Sequence, residues 1–267
     1  MGERGEYQKP MEINKTNYFD TDASLQFFGA SQFKAFRNCE ASALAEIKGE
    51  YLRDPSASQL VGSYVDAHFS DELPEFVADH PEIYTRNGAL KADFKKGDAI
   101  IDRIERDKLF MDFLDGEKQR IMVGEIFGYP FKIKIDAYHE HDKIVDLKVM
   151  KDMKPVYKDG EYKSFVDAWG YDIQGFIYQQ VVQYNTGEKL PFYLAVATKE
   201  PHTDIGIIEI PQWRLDSVGA IVKHYLPRFD AVKRGEVPPS RCEHCGYCRD
   251  TKVLNSFIAY EDLLERN

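Results

Sequence analysis

The chain has 267 residues, 43% of them hydrophobic and 13% aromatic, which is enough for one large or two small domains around a sizeable core. Its apolar runs are shorter than the ~20 residues of a membrane span, and its first residues lack the apolar stretch of a signal peptide, so we expect a soluble, cytoplasmic protein with no membrane partner. A net charge of −10 argues against a surface built for indiscriminate nucleic-acid binding, although an acidic protein can keep a local basic groove.

The first half of the chain is predicted to be mostly helical. Residues 1–30 are expected to form an N-terminal arm, which is polar and without periodicity up to about Asn17. Ser31 is expected to cap a short helix that runs through Phe36. Apolar spacing predicts three further helices, at about residues 40–51, 58–69 and 92–114.

Two strands of the predicted sheet carry charged residues. In residues 131–138 apolar and polar side chains alternate, the pattern of a half-buried strand, so Asp136 is expected on the polar face. Residues 144–150 are apolar on both sides, as in a central strand, yet they carry Asp146 and Lys148 on one face. Burying two charged groups there costs several kcal/mol unless they pair or meet a metal, so they indicate a functional site.

The remaining elements set the expected fold. A strand at 120–127 precedes the two charged strands and forms a three-stranded meander with them. After the meander come a helix at 163–184, two strands at 194–198 and 205–210, and a last helix at 213–234. This order predicts an α/β fold with a mixed central sheet flanked by helices. We expect a single domain over 31–267, divided into a helical part at about 31–116, a core at about 117–236 and a Cys-rich C-terminal segment at 237–267.

The spacing of the charged strand residues carries a resemblance. Asp136, Asp146 and Lys148 have the form Asp, nine intervening residues, Asp-Leu-Lys, which resembles the core motif of the PD-(D/E)xK nuclease superfamily. The resemblance implies a restriction-endonuclease-like core with a helical N-terminal extension. Hard carboxylate oxygens suit Mg²⁺ or Mn²⁺, which activates water and the phosphoryl group, while the lysine orients that water. The alternative for this motif alone is a surface hairpin with an ion pair.

The helix after the motif strands supplies a second motif. Gln174 and Tyr178 are four residues apart and share one helical face, with Tyr171 one turn earlier. In isolation they would be the polar rim of an amphipathic helix. After an Asp-x-Lys strand, Gln-x-x-x-Tyr resembles the RecB-like branch of the superfamily, which includes nuclease domains of RecBCD, of CRISPR adaptation and of exodeoxyribonuclease VIII. The resemblance implies that both side chains reach toward the active site and the DNA backbone.

An upstream helix departs from the pattern of that branch. The family has Gly-x-x-x-His with the histidine as a metal ligand, whereas here the fourth residue after Gly62 is Asp66. His68 comes two residues later, where a helix turns it away by roughly 200°. We assign the ligand role to Asp66, since a carboxylate suits Mg²⁺ better than imidazole does, with His68 as the fallback. For His68 itself, an ordinary hydrogen-bonded helix histidine is the favoured interpretation.

The four cysteines form a third motif. Cys242, Cys245 and Cys248 lie in two successive Cys-x-x-Cys steps, and Cys39 is far upstream. In a reducing compartment such spacing favours metal ligands over disulfides, with three unligated thiols on a turn as the alternative. One cysteine before the core and three near the C-terminus resembles the RecB-like nucleases that hold an iron–sulfur cluster, which implies a 4Fe-4S cluster here. Zn²⁺, with His244 as a substitute ligand, is the runner-up.

A run of lysines follows the second charged strand. Either a basic groove or a solvated loop would account for it. The run consists of Lys148, Lys151, Lys154, Lys158 and Lys163.

The motifs occur in the expected order over most of the chain. Together they are most similar to phage- or prophage-encoded exonucleases related to the C-terminal domain of exodeoxyribonuclease VIII. This implies a metal-dependent deoxyribonuclease that acts on ends of duplex DNA in phage-type recombination, beside a single-strand annealing protein. Two alternatives stay open, a CRISPR-adaptation-like nuclease and a non-catalytic DNA-binding relative. The complete set of carboxylates and the lysine argues against the second alternative.

Overall fold

A mixed sheet with helices on both faces forms the centre of the protein. The computed structural model describes residues 11–53 and 55–261. The strands in this part of the chain are β1 (Glu117–Ile126), β2 (Tyr129–His139), β3 (Lys143–Met150), β4 (Val156–Lys158), β5 (Glu161–Lys163), β6 (Phe192–Thr198) and β7 (Ile205–Ile210). The helices are α1 (Thr21–Gln26), α2 (Ala30–Asn38), α3 (Glu40–Ile47), α4 (Ala57–Phe69), α5 (Leu73–Asp79), α6 (Ala92–Glu105), α7 (Lys108–Leu114), α8 (Phe165–Trp169), α9 (Tyr171–Thr186), α10 (Gln212–Lys233) and α11 (Gly246–Asp250), with a 3-10 turn at Pro81–Ile83.

The five main strands lie in the order β1-β2-β3-β6-β7. Neighbouring strands are antiparallel except for β3 and β6, which run parallel. The predicted α/β class, with a mixed central sheet flanked by helices, is therefore confirmed. Within the described ranges, no helix has the length and apolar character needed to cross a membrane.

Both faces of the central strand β3 are covered by apolar layers. Ile144 packs into the layer between the sheet, α9 and α10, whereas Val145 and Leu147 pack into the layer beneath α4, α6 and α7. Fully burying an aliphatic side chain of this size contributes about 1.5–3 kcal/mol. The alternation of faces along β3 therefore fixes the strand between the two layers and sets the direction of its charged residues.

Helix α9 lies unusually close to the sheet because of Gly175. A Cβ atom at this position would stand 2.6 Å from Cδ1 of Phe192 on β6, which is a collision. Nearly all residues of α9 from Asp172 to Val182 are buried, so the helix is covered all round. This close packing places the N-terminal half of α9, including Gln174, against β3.

Two predicted helices are each divided in the structure. The helix expected at 92–114 ends at Glu105, and the side chain of Asp107 accepts a hydrogen bond from Phe110 N at 3.0 Å to begin α7. The helix expected at 163–184 is interrupted by Gly170, whose φ of 64° is left-handed. Gly29, rather than Ser31, is the N-cap of α2.

The β4–β5 hairpin is absent from the predicted elements. Its turn residues Asp159 and Gly160 have φ angles of 54° and 83°. Two consecutive left-handed residues match the right-handed twist of a tight hairpin, and Asp-Gly is a strong signal for this turn. The lysine-rich composition of the segment concealed this signal.

Part of the predicted N-terminal arm is packed against the sheet. The Phe28 N–H donates to Pro130 O, and the Lys132 N–H donates to Phe28 O, both at 2.8 Å. Phe28 thereby pairs with β2 along the part of that strand that β3 does not pair with, and its side chain is buried. The end of the predicted N-terminal arm (1–30) is thus packed into the fold, and residues 1–10 lie outside the described ranges. Lys132 is also buried, so β2 is covered on both faces rather than half-buried as expected.

Candidate active site

Asp136 lies where strands β2 and β3 separate. Backbone pairing between these strands stops at Ala137 and Val145. Beyond this point the Asp136 carboxylate accepts the next hydrogen bond, from the Leu147 N–H to Oδ2 at 2.8 Å. A side chain thus takes the place of a backbone carbonyl, and Asp136 is fixed at the point where the sheet opens.

Asp146 and Lys148 form a buried ion pair on β3. Lys148 Nζ lies 2.5 Å from Asp146 Oδ2, and the Asp146 side chain is only 2% exposed. The second oxygen, Oδ1, accepts a hydrogen bond from Gln174 Nε2 at 2.6 Å. Lys34 Nζ in turn donates to Gln174 Oε1 at 3.2 Å. The amide of Gln174 therefore fixes the orientation of the Asp146 carboxylate.

Asp66 faces the same site from helix α4. It lines an open cleft of about 520 Å³ together with Asp136 and Lys148. Gly62, one turn earlier, lies beside Val149 on β3. His68 instead lies 2.9 Å from Glu105 on α6 and is not among the residues that line the cleft. The structure thus brings Asp66, and not His68, to the other two carboxylates.

The two tyrosines of α9 occupy different positions. Tyr178 lies behind the carboxylates, with its hydroxyl donating to Lys134 O on β2 at 2.9 Å. Burial, together with the charges of Asp146 and Asp136, raises the pKa of Tyr178. The ring of Tyr171 instead lies between two ammonium groups, 5.1 Å from Lys34 Nζ and 5.5 Å from Lys148 Nζ.

Gln119 is a site residue that the sequence motifs did not indicate. It has a left-handed φ of 53° within β1, and its side chain points into a small cavity lined by Asp66 and Asp136. The side chain is buried, and neither amide atom has a hydrogen-bond partner among the described residues. Strain and an unpaired polar group at one position are features typical of functional sites. Lys34 was also missed, because a lysine on a helix gives no sequence signal.

The electrostatics of the cleft favour a bound cation. Burial raises the pKa of Asp66, and burial together with the charges of Asp66 and Asp146 raises that of Asp136 well above its ordinary value. Burial opposes ionisation of Lys148, but Asp146 and Asp136 outweigh it and raise the pKa of the ammonium. Burial and repulsion by Lys148 lower the pKa of Lys34 to about 8. The three carboxylates of the site outnumber its two ammonium groups, those of Lys148 and Lys34, which leaves a negative excess.

The donor set fits a hard divalent cation. Asp146 Oδ2 is buried and, apart from its ion pair, has no hydrogen-bond partner among the described residues. Oxygen ligands from carboxylates are those that Mg²⁺ and Mn²⁺ prefer. Asp66, Asp136 and Asp146 are the residues that could hold such an ion.

The four cysteines form a second, separate centre. Their Sγ atoms all lie within 4.8 Å of one another, which confirms that the chain brings Cys39 to the C-terminal thiols. Cys39 Sγ lies 3.5 Å from Cys248 Sγ, and Cys242 Sγ lies 4.0 Å from it. The N–H groups of Cys245 and Cys248 point at the sulfurs of Cys242 and Cys245. His244 is exposed and contacts the Cys242 carbonyl oxygen rather than the thiols.

The thiols of this centre ionise unequally. Burial opposes ionisation of Cys242, but hydrogen bonds from the His244 and Cys245 backbones outweigh it and lower the pKa of this thiol to about 6. Burial and the neighbouring thiols raise the pKa of Cys39, and they raise that of Cys245 to about 12. A bound cation would favour the thiolate form of these side chains.

The lysine run divides among four places. Lys148 lies in the cleft, and Lys151 lines a second pocket beside it with Lys199. Lys154 is 73% exposed and lies 3.5 Å from Glu200. The remaining two, Lys158 and Lys163, line a groove on the other side of the cleft.

The chain matches one family of known sequence pattern over most of its length. A family model described as "PDDEXK-like domain of unknown function (DUF3799)" matches residues 29–251. The chain belongs to this family. The predicted membership of the PD-(D/E)xK superfamily is thereby confirmed. No curated protein matches the chain.

Two crystal structures resemble this chain to different degrees. A protein from Eubacterium rectale, described as a "putative exonuclease", is 44% identical over 95% of this chain and 98% of that chain, with a TM-score of 0.92. This match confirms the restriction-endonuclease-like fold. The structure of SSO0001 is 12% identical over 68% of this chain and 83% of that chain, with a TM-score of 0.27.

Proposed function

We propose that the protein is a metal-dependent deoxyribonuclease that hydrolyses phosphodiester bonds in the cleft between α4 and β3. The observation that carries the proposal is the buried Asp146–Lys148 pair, held by Gln174 beside Asp136 and Asp66. A buried pair of this kind is costly to desolvate and contributes little net stability, so a functional role accounts for it better than a structural one. Membership of a superfamily of nucleases supports the same function.

Each residue of the site has a distinct role in this proposal. Asp66, Asp136 and Asp146 would hold Mg²⁺ or Mn²⁺, which when bound polarises the phosphoryl group and acidifies water. Lys148 stays charged and places its ammonium at the cleft, where it orients water and offsets charge that develops on the phosphate. Gln174 holds Asp146 in one orientation, which is the task of residues that surround metal ligands.

We extend the proposal to exonucleolytic action at ends of duplex DNA. The relative from Eubacterium rectale is described as a "putative exonuclease", and 44% identity over nearly the whole of both chains supports a shared activity. A place in phage-type recombination, beside a single-strand annealing protein, follows from the resemblance of the motifs to exonucleases related to exodeoxyribonuclease VIII.

End-labelled linear duplex DNA tests the assignment of residues. With Mg²⁺ or Mn²⁺, wild-type protein should degrade it, whereas Asp146→Asn and Lys148→Met should lose at least about 100-fold in rate because a ligand or the ammonium is removed. Asp112→Asn is the matched control, since Asp112 forms an exposed pair with Lys108 at 2.7 Å. Equal activity in all four proteins would contradict the assignment.

For the cysteine centre we propose a single tetrahedral Zn²⁺ ion. Zinc–sulfur bonds of about 2.3 Å place the sulfurs of a tetrahedron ~3.8 Å apart. The observed separations of 3.5 Å and 4.0 Å are close to this value. In a 4Fe-4S cluster each thiolate binds a different iron, so the sulfurs stand farther apart. The spacing therefore supports the runner-up over the cluster, with four thiols rather than His244 as the ligands.

Metal analysis of protein purified with and without oxygen tests this choice. We expect about one zinc and no sulfide per chain in both preparations. Stoichiometric iron and sulfide in the anaerobic preparation would contradict the zinc assignment and support an iron–sulfur cluster instead.

A further inference from the structure

A groove adjoins the catalytic cleft on the side of helix α2. It lies between the C-terminal half of α2, the β4–β5 hairpin and α8. Four basic residues line it, namely Lys34, Arg37, Lys158 and Lys163. None of the roles proposed for the catalytic site uses the last three of these side chains.

The groove is locally basic although the chain carries a net charge of −10. It contains two carboxylates, and both have cationic partners. Asp159 lies 3.0 Å from Lys163, and Asp167 lies 2.7 Å from Arg214. The charges of Lys163, Lys158 and Arg37 all act to lower the pKa of Asp159, which shows that these cations converge. An excess of converging cations fits a ligand with repeated negative charges, such as a phosphate backbone.

An aromatic ring lies among these cations. Trp169 is 49% exposed, which is unusual for a side chain of this size. Lys158 Nζ lies 5.5 Å from the centre of the indole and donates to Ala168 O at 2.7 Å, so the lysine holds the ring in place. Exposed aromatic rings beside cations are the feature on which nucleic-acid bases stack.

Helix α2 connects this groove with the catalytic cleft. Ser31 on its first turn lines the cleft, whereas Lys34, Arg37 and Asn38 line the groove. The seven steps from Ser31 to Asn38 correspond to about 10 Å along the helix axis. Lys34 also donates to Gln174, which holds the Asp146 carboxylate. One helix surface thus runs from the catalytic carboxylates to the basic groove.

We propose that this groove holds a single strand of nucleic acid that continues from the strand bound in the catalytic cleft. Arg37 and Lys163 contact its phosphates, and Trp169 stacks on one base. This inference rests on the proposed nuclease function and adds that the substrate end is bound with its strands separated, because the groove offers one aromatic ring and one row of cations rather than a surface for a whole duplex.

Fluorescence anisotropy with labelled DNA tests the proposal. The probes are a blunt duplex and two duplexes of the same length with an eight-nucleotide single-stranded tail, one at the 3′ end and one at the 5′ end. Binding is measured without added divalent metal, and gels verify that the DNA stays intact. Wild-type protein should bind at least one tailed duplex more tightly than the blunt one.

Two variants should remove this preference. The double variant Arg37→Gln/Lys163→Gln removes two phosphate contacts. Each contact changes the slope of log K (the binding constant) against log salt concentration by about 0.7 on a single strand, so at 0.1 M salt the double variant should bind the preferred tail about 25-fold more weakly. Trp169→Ala should weaken it at least about 5-fold through lost stacking. Lys108→Gln is the matched control, because it removes one exposed lysine from α7. It should bind all three probes as the wild type does.

The outcomes separate this inference from the proposed function. A wild type without tail preference, or groove variants that keep it, would overturn the inference even if the protein cleaves DNA. Equal weakening for blunt and tailed probes would show that the groove holds a duplex, which also overturns it. Tail preference that is lost in the groove variants would support the groove even if no cleavage is detected.

Discussion

Replacing Cys39 by alanine removes the ligand that ties the start of the chain to its end. Cys39 and Cys248 are 209 residues apart in sequence, and their sulfurs lie 3.5 Å apart. Closing a loop of this length in the unfolded chain corresponds to about 5 kcal/mol by the chain-entropy estimate used for disulfides. This is the upper bound for the contribution of the metal link to stability.

Neighbouring contacts reduce the expected loss. Glu40 is paired with Arg228 at 2.8 Å and accepts a hydrogen bond from Ser240 N at 2.7 Å, so the chain near Ser240 stays attached without the metal. With residue 240 already held, the metal closes only the further loop from residue 240 to residue 248, a length of 8 residues. The same estimate assigns about 2.5 kcal/mol to a loop of this length. We therefore expect Cys39→Ala to lower the free energy of unfolding by about 2–3 kcal/mol.

Urea unfolding of metal-replete protein measures this loss. The control is His244→Ala, which should change the free energy of unfolding by less than about 0.5 kcal/mol because His244 is exposed and lies outside the ligand set. A zinc chelator should bring wild-type protein to the stability of Cys39→Ala and leave the variant unchanged. Equal stability of wild type and Cys39→Ala, or an equal effect of the chelator on both, would refute the metal link.

Three further predictions concern the cleft and the acid stability of the fold. Asp66→Ala should reduce cleavage by at least about 100-fold and His68→Ala by less than about 3-fold in a nuclease assay, because only the aspartate lines the cleft; the reverse ranking would move the ligand to the histidine. Gln174→Leu should weaken Mn²⁺ binding by about 10–100-fold in isothermal titration, since the buried carboxylate loses the amide that orients it; unchanged affinity would contradict this role. Burial opposes ionisation of Glu40, but the guanidinium of Arg228 and the backbone N–H of Ser240 outweigh burial and lower the pKa of this carboxyl. The ionised Glu40 therefore stabilises the fold above the ordinary carboxyl pKa, and this contribution is lost as the pH falls through the lowered pKa. Glu40→Gln should thus be less stable than wild type at pH 7 in urea unfolding, with the difference shrinking in acid, and a constant difference would rule out this linkage.

The predicted elements succeeded where the sequence itself carries the physical signal. The apolar residues on both faces of β3, together with its two charged residues, predicted a central strand with a site, because a buried carboxylate beside an ammonium is costly without a purpose. Asp66 was assigned by resemblance to the Gly-x-x-x-His motif of the RecB-like branch, and in the structure this side chain lines the cleft.

Features that depend on distant contacts could not be predicted. The pairing of Phe28 with β2 requires β3 to separate from β2 at Asp136, which no local pattern encodes. Gln119 and Lys34 belong to the site only through the packing of β1 and α2 against it. The division of the long predicted helix at Asp107 was missed because apolar periodicity continues across the break.

The most direct test of the account compares one plasmid in two forms. Wild-type protein with Mg²⁺ is incubated with the linearised plasmid and with its covalently closed circular form, and the loss of full-length DNA is followed over time. A metal-dependent exonuclease should degrade the linear form progressively and leave the closed circle intact, and it should degrade neither form when the metal is chelated. Cleavage of both forms at equal rates would contradict the exonuclease assignment, and cleavage of neither would contradict the nuclease itself.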